Sequence, residues 1–207
     1  MNNRFDQKAR ELDEHPVMRE VALKFSQTLL SHVPLSQKYN ILDYGCGSGL
    51  IGMHLYKKVN SLVMMDTSEG MLCILKEKIL KNNINNMEII NCELEKAQIE
   101  PDKFDVIYIN NVLHHIEDIS SFLAVVKKSL KPKGYFCIGD LEKEDGSFHS
   151  DNADVRHFGF EEHEIEEYLA NCNFEKIKNE RYYTVKKPDN SGKIKQYPMF
   201  FISATKS

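Results

Sequence analysis

Short apolar runs alternate with longer amphipathic segments along most of the chain, from Tyr39 onward. The short runs favour strands because they are rich in β-branched and aromatic residues, whereas the longer segments have apolar residues at helical spacing. This alternation predicts a parallel sheet whose strands are connected by crossover helices. The predicted strands are Ile41–Tyr44, Leu62–Asp66, Met87–Asn91, Phe104–Asn110 and Gly134–Asp140, and the helices between them are Leu50–Tyr56, Ser68–Lys81 and Ile119–Leu130.

The two ends of the chain have a different pattern. Two β-rich runs near the C-terminus, Arg181–Lys186 and Tyr197–Ala204, flank Lys187–Lys195, whose Gly, Pro, Asn and Lys residues are typical of a hairpin loop. A hairpin adds an antiparallel pair at one edge of the sheet. The prediction is therefore a doubly wound α/β fold with a seven-stranded, mostly parallel sheet and an antiparallel C-terminal hairpin. Further helices are predicted at Arg4–Leu12, Val17–Ser31 and Glu161–Asn171.

Composition limits the classes of partner and indicates the cellular compartment. The 207 residues suit one domain, and the net charge of −4 gives no general attraction to nucleic acid or to an anionic membrane. No stretch is apolar enough for a membrane span, and the first residues lack the apolar centre of a secretory signal. The cysteines form no CxxC pair, which predicts free thiols in a reducing cytosol and a cytoplasmic protein. They are Cys46, Cys73, Cys92, Cys137 and Cys172.

A glycine turn follows the first predicted strand, in the sequence ILDYGCGSGLIG from Ile41 to Gly52. Such a turn lets backbone amides approach a ligand at the carboxyl edge of a parallel sheet. The dinucleotide pattern GxGxxG fails at Leu50, and Asp43 would repel a pyrophosphate. Asp66 ends the second strand, where a carboxylate can accept hydrogen bonds from a ribose. The pattern favours a ligand with a ribose, a positive charge and no phosphate, three properties that S-adenosylmethionine combines.

These motifs resemble those of the class I S-adenosylmethionine-dependent methyltransferases, whose first motif reads approximately LD-x-G-C-G-x-G. That motif is Leu42–Gly49 here, and the resemblance covers about Ile41 to Asp140 in order. It implies the Rossmann-like fold of that family. The further matching motifs are Met65–Ser68, Met71-Leu72, Phe104–Ile107, Asn111–His115 and Leu130–Gly134. One subgroup of the family, whose substrate the resemblance does not reveal, has outer segments similar to Phe5–Ala9, Glu144–His149 and His157–Phe160.

The resemblance also implies a division of the chain and roles for individual residues. Residues 1–38 would form a helical lid, 39–140 the cofactor-binding core and 141–207 the acceptor side of one domain. The acid of the first motif and the turn backbone would hold the methionine part of the cofactor, the second acid the ribose, and Thr67 with Met71 the adenine. The implied cofactor contacts are Asp43, Gly45, Cys46, Gly47, Gly49, Asp66, Thr67, Met71, Cys92, Glu93, Leu94 and Asn110.

Two of these expectations have open alternatives. Cys92 lies where the family often has an acid that binds the adenine amine. The backbone or carboxylate of Glu93 is an alternative contact for that amine. Phe5 begins the lid segment and is a candidate to cover the cofactor, with ordinary helix packing as the alternative.

The polar segment after the fifth strand starts on the ligand side of the sheet, so we expect it to shape the acceptor pocket. A general base is needed only if the acceptor must lose a proton. Histidines have suitable pKa values, and we rank His149 first, then His157, then His114. The carboxylates Asp140 and Asp151 stay open as alternatives, and His114 and His115 could both be structural. No metal is predicted, because the ligand-type residues of this segment match no known spacing: His149, Asp151, Asp154 and His157.

Taken together, these features favour a methyltransferase that acts on a small-molecule acceptor by in-line displacement and releases S-adenosyl-L-homocysteine. We expect a monomer or homodimer, with neither nucleic acid nor a membrane as partner. One alternative is an RNA or protein methyltransferase, which the lysines of Lys186–Lys195 would support. Another is a non-catalytic cofactor-binding module, which Cys92 and the lack of an obvious base leave open. Leu50 and Asp43 argue against a dinucleotide-dependent oxidoreductase.

Overall fold

The computed structural model describes residues 4–94, 96–97, 99–149, 151–188 and 192–207, except the side chains of residues 4–7 and 162. Within these residues, seven strands form one sheet in the order β3-β2-β1-β4-β5-β7-β6. Strands β1 to β5 run parallel to one another, and β7 is antiparallel to both β5 and β6. This confirms the predicted fold class. The strands are β1 (Asn40–Tyr44), β2 (Ser61–Asp66), β3 (Met87–Asn91), β4 (Phe104–Asn110), β5 (Leu130–Leu141), β6 (Phe174–Pro188) and β7 (Ile194–Lys206).

Helices connect the strands and cover both faces of the sheet. Ser68 caps α4, because its Oγ accepts from the backbone N–H of Met71 at 3.3 Å, and Asp118 caps α5 in the same way. No helix within the described residues is long and apolar enough to cross a membrane. The helices are α1 (Arg4–Glu14), α2 (Pro16–His32), α3 (Gly52–Leu55), α4 (Glu69–Lys81), α5 (Ile119–Ser129) and α6 (Glu162–Asn171), with short 3₁₀ turns at Tyr56–Lys58 and Leu113–His115.

Alternation of side chains along the strands separates two apolar layers. In β1, Ile41 contributes to a buried layer with Phe25 of α2, whereas Leu42 contributes to a second layer with Phe122 of α5. Because successive strand residues point to opposite faces, Asp43 lies on the same face as Ile41. The carboxylate is thereby directed toward the side of the sheet that α2 covers.

The connections change direction between β1 and β4. From β1 the strand order runs through β2 to β3 on one side and through β4 to β5 on the other. In open α/β sheets a crevice forms at the carboxyl ends of the strands at such a point, and ligands bind there. The glycine turn after β1 and Asn111–His115 after β4 border this crevice.

The C-terminal hairpin is longer than the sequence predicts. β6 begins at Phe174 rather than Arg181 and extends to Pro188, while β7 begins at Ile194, so the predicted loop Lys187–Lys195 is too long. β6 is an edge strand whose exposed residues, such as Glu175 and Lys178, are charged. Charged residues on an edge strand weaken the apolar alternation by which a strand is recognised.

Two other boundaries differ. β5 begins at Leu130 rather than Gly134, because Leu130 pairs with Phe104 before a shift in register, and Lys133 has a φ of 62°. The predicted helix Leu50–Tyr56 is reduced to α3 and a 3₁₀ turn.

Candidate functional site

The glycine turn is a tight loop held by backbone hydrogen bonds. The N–H groups of Gly45 and Cys46 both donate to the Met65 carbonyl, at 2.8 and 3.1 Å. Gly45 has a φ of 71°, and a Cβ there would lie 2.2 Å from Val112 Cγ2. Gly47 also has a positive φ, 52°, but a Cβ there would meet no atom closer than Met71 Sδ at 3.9 Å. Gly45 is therefore required by the protein's own packing, whereas Gly47 leaves space in which a ligand can approach the backbone.

Asp66 connects this turn to the start of α4. Its Oδ2 accepts from the backbone N–H of Gly47 at 2.7 Å, and its Oδ1 accepts from Ser68 N–H at 2.8 Å. The sequence predicts Asp66 as a ribose contact, and an ionised carboxylate can accept several hydrogen bonds at once. The residue is half-buried at the crevice, so both roles fit its position.

Asp43 is buried at the end of β1. The residue is 2% exposed, and Tyr108 Oη donates to Oδ2 at 2.8 Å. Burial raises the pKa of Asp43 to about 8, the Tyr108 hydrogen bond opposes the rise, and the charge of Asp66 adds to it. A cation bound beside this carboxylate would favour its ionised form. The residues present therefore fit a positively charged ligand at this turn.

The residues predicted around the adenine lie near the same edge, in different environments. Met71 is buried, Thr67 and Glu93 are exposed, and Cys92 is half-buried with its N–H donating to the Asp66 carbonyl at 3.2 Å. Leu94 is fully buried in the apolar layer that contains Leu42. Leu94 is thus positioned by core packing, whereas Thr67 and Glu93 are exposed to solvent.

Asn110, at the end of β4, has a bonded side chain. Its Oδ1 accepts from Tyr182 Oη at 2.8 Å, and Tyr182 comes from the edge strand β6. Burial raises the pKa of Tyr182, and the negative charge of Asp140 adds to the rise, so the phenol stays a donor. Neither Tyr182 nor Tyr108 could be predicted from the sequence, because the acidic or amide partner of each lies on another strand.

A buried histidine–carboxylate pair lies after β4. His114 Nδ1 is 2.7 Å from Asp140 Oδ1, and the backbone N–H of His114 donates to Oδ2 at 3.2 Å. Both side chains are almost completely buried. Burial opposes the charge of Asp140, but the charge and hydrogen bonds of His114 hold its pKa below the ordinary value. His114 Nε2 is buried and has no hydrogen-bond partner within the described residues.

Two further imidazoles stack against this pair. The ring centroids of His115 and His149 lie 4.1 and 4.9 Å from that of His114. His157 lies apart: its Nε2–H donates to the Ile116 carbonyl at 2.9 Å, and its ring packs on Phe160. Of the three histidines ranked from sequence, His149 and His114 therefore come together with Asp140, and His157 does not join them.

The segment from Leu141 to Phe160, here called the polar loop, closes on itself. The N–H of Phe160 donates to the Leu141 carbonyl and the N–H of Lys143 donates to the Phe160 carbonyl, both at 3.0 Å. A Cβ at Gly159 would lie 2.2 Å from the Glu142 carbonyl oxygen. Across the described part of the chain, no three His, Cys, Asp or Glu side chains converge as metal ligands.

The hairpin lysines hold the polar loop in place. Lys195 Nζ lies 2.5 Å from Asp145 Oδ1 and 2.9 Å from Ser147 Oγ. Lys187 Nζ donates to the Phe148 carbonyl and lies 4.4 Å from the centroid of the Phe148 ring. These two lysines of the predicted basic patch therefore contact the protein itself. The side chain of Phe5 is outside the described residues.

A sequence profile of a methyltransferase-domain family matches residues 35–190. The chain belongs to the S-adenosylmethionine-dependent methyltransferases. This family membership confirms the predicted enzyme class and its cofactor, for which the buried acid and the open glycine turn supply a fitting site.

All five cysteines are free thiols.

Known methyltransferases match the chain in sequence and in fold. An uncharacterised methyltransferase of Schizosaccharomyces pombe is 31% identical over 117 residues, which cover 53% of this chain and 41% of that protein. A ubiquinone biosynthesis O-methyltransferase of Bartonella tribocorum is 26% identical over 127 residues, covering 61% and 51%. The chain thus spans about half the length of the curated relatives it matches. A crystal structure of an S-adenosylmethionine-dependent methyltransferase from Aquifex aeolicus shares the fold, with a TM-score of 0.73 at 21% identity over 98% of both chains.

Proposed function

We propose that this chain transfers the methyl group of S-adenosylmethionine to a hydroxyl of a small molecule. The observation that carries the proposal is the buried His114–Asp140 pair beside the crevice, with His114 Nε2 left without a partner among the described residues. A thiolate acceptor needs no base, whereas a hydroxyl must lose its proton during transfer. A buried imidazole oriented by a buried carboxylate therefore supports a hydroxyl acceptor.

The cofactor site of this proposal consists of Asp43, the Gly45–Gly49 backbone and Asp66. When bound, S-adenosylmethionine supplies an activated methyl group on a sulfonium. Asp43 would hold the positively charged methionine end, because a cation beside this buried carboxyl favours its ionised form. Asp66 would accept from the ribose hydroxyls while it keeps its bonds to Gly47 and Ser68.

His114 is arranged to accept a proton at Nε2. In the neutral imidazole, the Nδ1–H of His114 would donate to the Asp140 carboxylate, and Nε2 would carry the lone pair that accepts the proton. The proton of the acceptor hydroxyl would pass to Nε2 as the oxygen gains the methyl group. Asp140 would then stabilise the imidazolium, as a buried carboxylate does in other histidine–carboxylate pairs. His149 would form part of the pocket wall over His114.

The contacts of the hairpin lysines support a small molecule over RNA. An RNA acceptor requires basic side chains that neutralise phosphates, but Lys187 and Lys195 are engaged by the polar loop. The name of the Bartonella tribocorum relative, a ubiquinone biosynthesis O-methyltransferase, is in keeping with an oxygen acceptor. We propose that the polar loop encloses the acceptor, in a cytoplasmic protein.

Methyl transfer to a panel of phenols, catechols and hydroxy acids tests the proposal, together with calorimetric titration of S-adenosylhomocysteine. In His114→Gln we expect the rate of transfer to fall by about 10²–10⁴-fold, the usual contribution of a general base. The affinity for S-adenosylhomocysteine should stay within about twofold, because His114 acts on the acceptor.

His157→Gln is the matched control, since it removes a half-buried histidine of the same region that bonds to a backbone carbonyl. It should keep the wild-type rate. An unchanged rate in His114→Gln would refute the role of His114. If the wild-type protein bound S-adenosylhomocysteine but methylated no hydroxyl in the panel, the hydroxyl acceptor would be wrong.

A further inference from the structure

A partly buried ion pair joins three segments at the glycine turn. Asp13, near the end of α1, is buried, with a 10% exposed side chain, and its Oδ1 accepts from Ser48 Oγ at 2.6 Å and from Lys78 Nζ of α4. Lys78 Nζ also donates to the Ser48 carbonyl at 2.9 Å. The hydroxyl and the carbonyl of Ser48 are therefore both held by this pair.

The position of Ser48 makes this contact significant for the ligand. Ser48 lies between Gly47 and Gly49, so fixing its side chain and carbonyl fixes the peptides on both sides. The N–H of Gly47 is bonded to Asp66 from the other direction. The turn is thus held between Asp66 on the crevice side and Asp13 on the side of α1.

Helix α1 also packs against the residues of α4 that lie beside the turn. Ala9 and Leu12 of α1 pack against Met71 and Ile74 of α4. Met71 is the residue whose Sδ lies nearest to the open space at Gly47. Displacement of α1 would therefore disturb both the turn and the predicted adenine contact.

We propose that Asp13 is a positioning residue of the cofactor site, which keeps the glycine turn in its binding conformation by holding Ser48 and Lys78. The inference rests on the proposed cofactor site at this turn. Asp13 acts through the turn backbone and does not touch the acceptor side. Its loss should consequently weaken cofactor binding and leave the methyl-transfer step intact once cofactor is bound.

Replacement of Asp13 tests this against a purely structural ion pair. In Asp13→Asn, we expect the dissociation constant of S-adenosylhomocysteine to rise about tenfold, which matches the loss of one charged hydrogen bond. The increase should come mainly from faster dissociation, because the turn must reorganise around the ligand. In turnover, KM for the cofactor should rise with little change in kcat.

The chain offers a control on the same pair of helices. Arg10 of α1 and Glu77 of α4 form an exposed ion pair at 3.2 Å that does not touch the turn. Glu77→Gln removes a contact between the same helices and should leave the dissociation constant unchanged. Equal weakening by Glu77→Gln and Asp13→Asn would show that helix docking alone matters, and would overturn the proposal.

A second variant and a ligand-free measurement keep the test independent of folding and of the proposed function. Ser48→Ala should weaken binding less than Asp13→Asn, and the double variant should show less than the summed effect, since both remove one network. Hydrogen exchange without ligand should be faster at the Gly47–Gly49 amides in Asp13→Asn than in Glu77→Gln. If the wild-type protein bound no S-adenosylhomocysteine, the proposed function would fail; if it bound normally and Asp13→Asn bound equally well, only the role of Asp13 would fail.

Discussion

At the scale of single residues, Asp43 links cofactor binding to pH. Its carboxyl has a pKa of about 8 because it is buried, so at neutral pH most molecules without ligand hold a proton there. A cationic ligand favours the ionised form and must displace that proton. Cofactor binding at this residue is therefore a competition with protons.

We expect S-adenosylhomocysteine to bind about tenfold more tightly for each pH unit from pH 6 to 8, with no further gain from Asp43 above pH 8. Calorimetry in buffers of different ionisation enthalpy should detect the release of a proton near neutral pH. Asp43→Asn removes the titrating group, so the difference between its pH profile and that of the wild type isolates the carboxyl. Parallel profiles in the two proteins would contradict this assignment.

Other features of the site could be predicted from residues that are close in sequence, and some could not. The glycine turn and Asp43 lie within one motif, so their neighbourhood is fixed by the chain itself. The His114–Asp140 pair joins the ends of two strands, and it depends on the register of β4 against β5. Asp13 and Ser48 are likewise far apart in the chain, and a single sequence gives no signal for such a contact.

At the scale of elements, the glycine turn contains two kinds of glycine. Gly45 is enclosed, since a Cβ would lie 2.2 Å from Val112, whereas Gly47 borders open space. Both have positive φ, which costs an L-residue about 1–2 kcal/mol. The two positions should therefore respond differently to the same substitution.

Gly45→Ala should destabilise the fold by about 3 kcal/mol or more, because backbone strain adds to a clash inside the core. Gly47→Ala should cost about 1–2 kcal/mol but lose most of its affinity for S-adenosylhomocysteine, because the methyl group occupies the ligand's approach. Urea unfolding and calorimetric titration of both variants would check this. Near-normal binding in Gly47→Ala would argue against ligand contact at the turn.

At the scale of the whole molecule, the buried acid also affects stability. The folded-state pKa of Asp43 lies above its unfolded value of 3.8. A group of this kind stabilises the fold below its unfolded pKa, and that contribution is lost as the pH rises through the folded value. Wild-type stability should therefore decline between about pH 4 and pH 8 for this reason alone.

Asp43→Asn lacks this dependence because an amide does not titrate. At pH 8.5 we expect the variant to be about 1–3 kcal/mol more stable than the wild type, and the difference should shrink toward pH 5. Urea unfolding at the two pH values measures it. A constant difference would mean that the carboxyl is not buried in the ligand-free protein.

The architecture itself could be predicted well where the strands are internal. β1 and β4 are buried on both faces, so they are mostly apolar runs whose bounds agree closely with the prediction. The ends of β6 could not be predicted from the sequence, because an edge strand with a solvated side tolerates charged residues. The pattern of apolar residues predicts a strand but not its neighbour, so the order of the strands comes from the structure.

The polar loop has both ends hydrogen-bonded together at Leu141 and Phe160, with Gly159 pressed against the Glu142 carbonyl. A loop anchored at its base in this way can change its interior sequence without moving the sheet on which it stands. Exchange of this loop could therefore change the preference for the acceptor, both among relatives and in engineered variants. The residues that bind the methyl donor would stay the same.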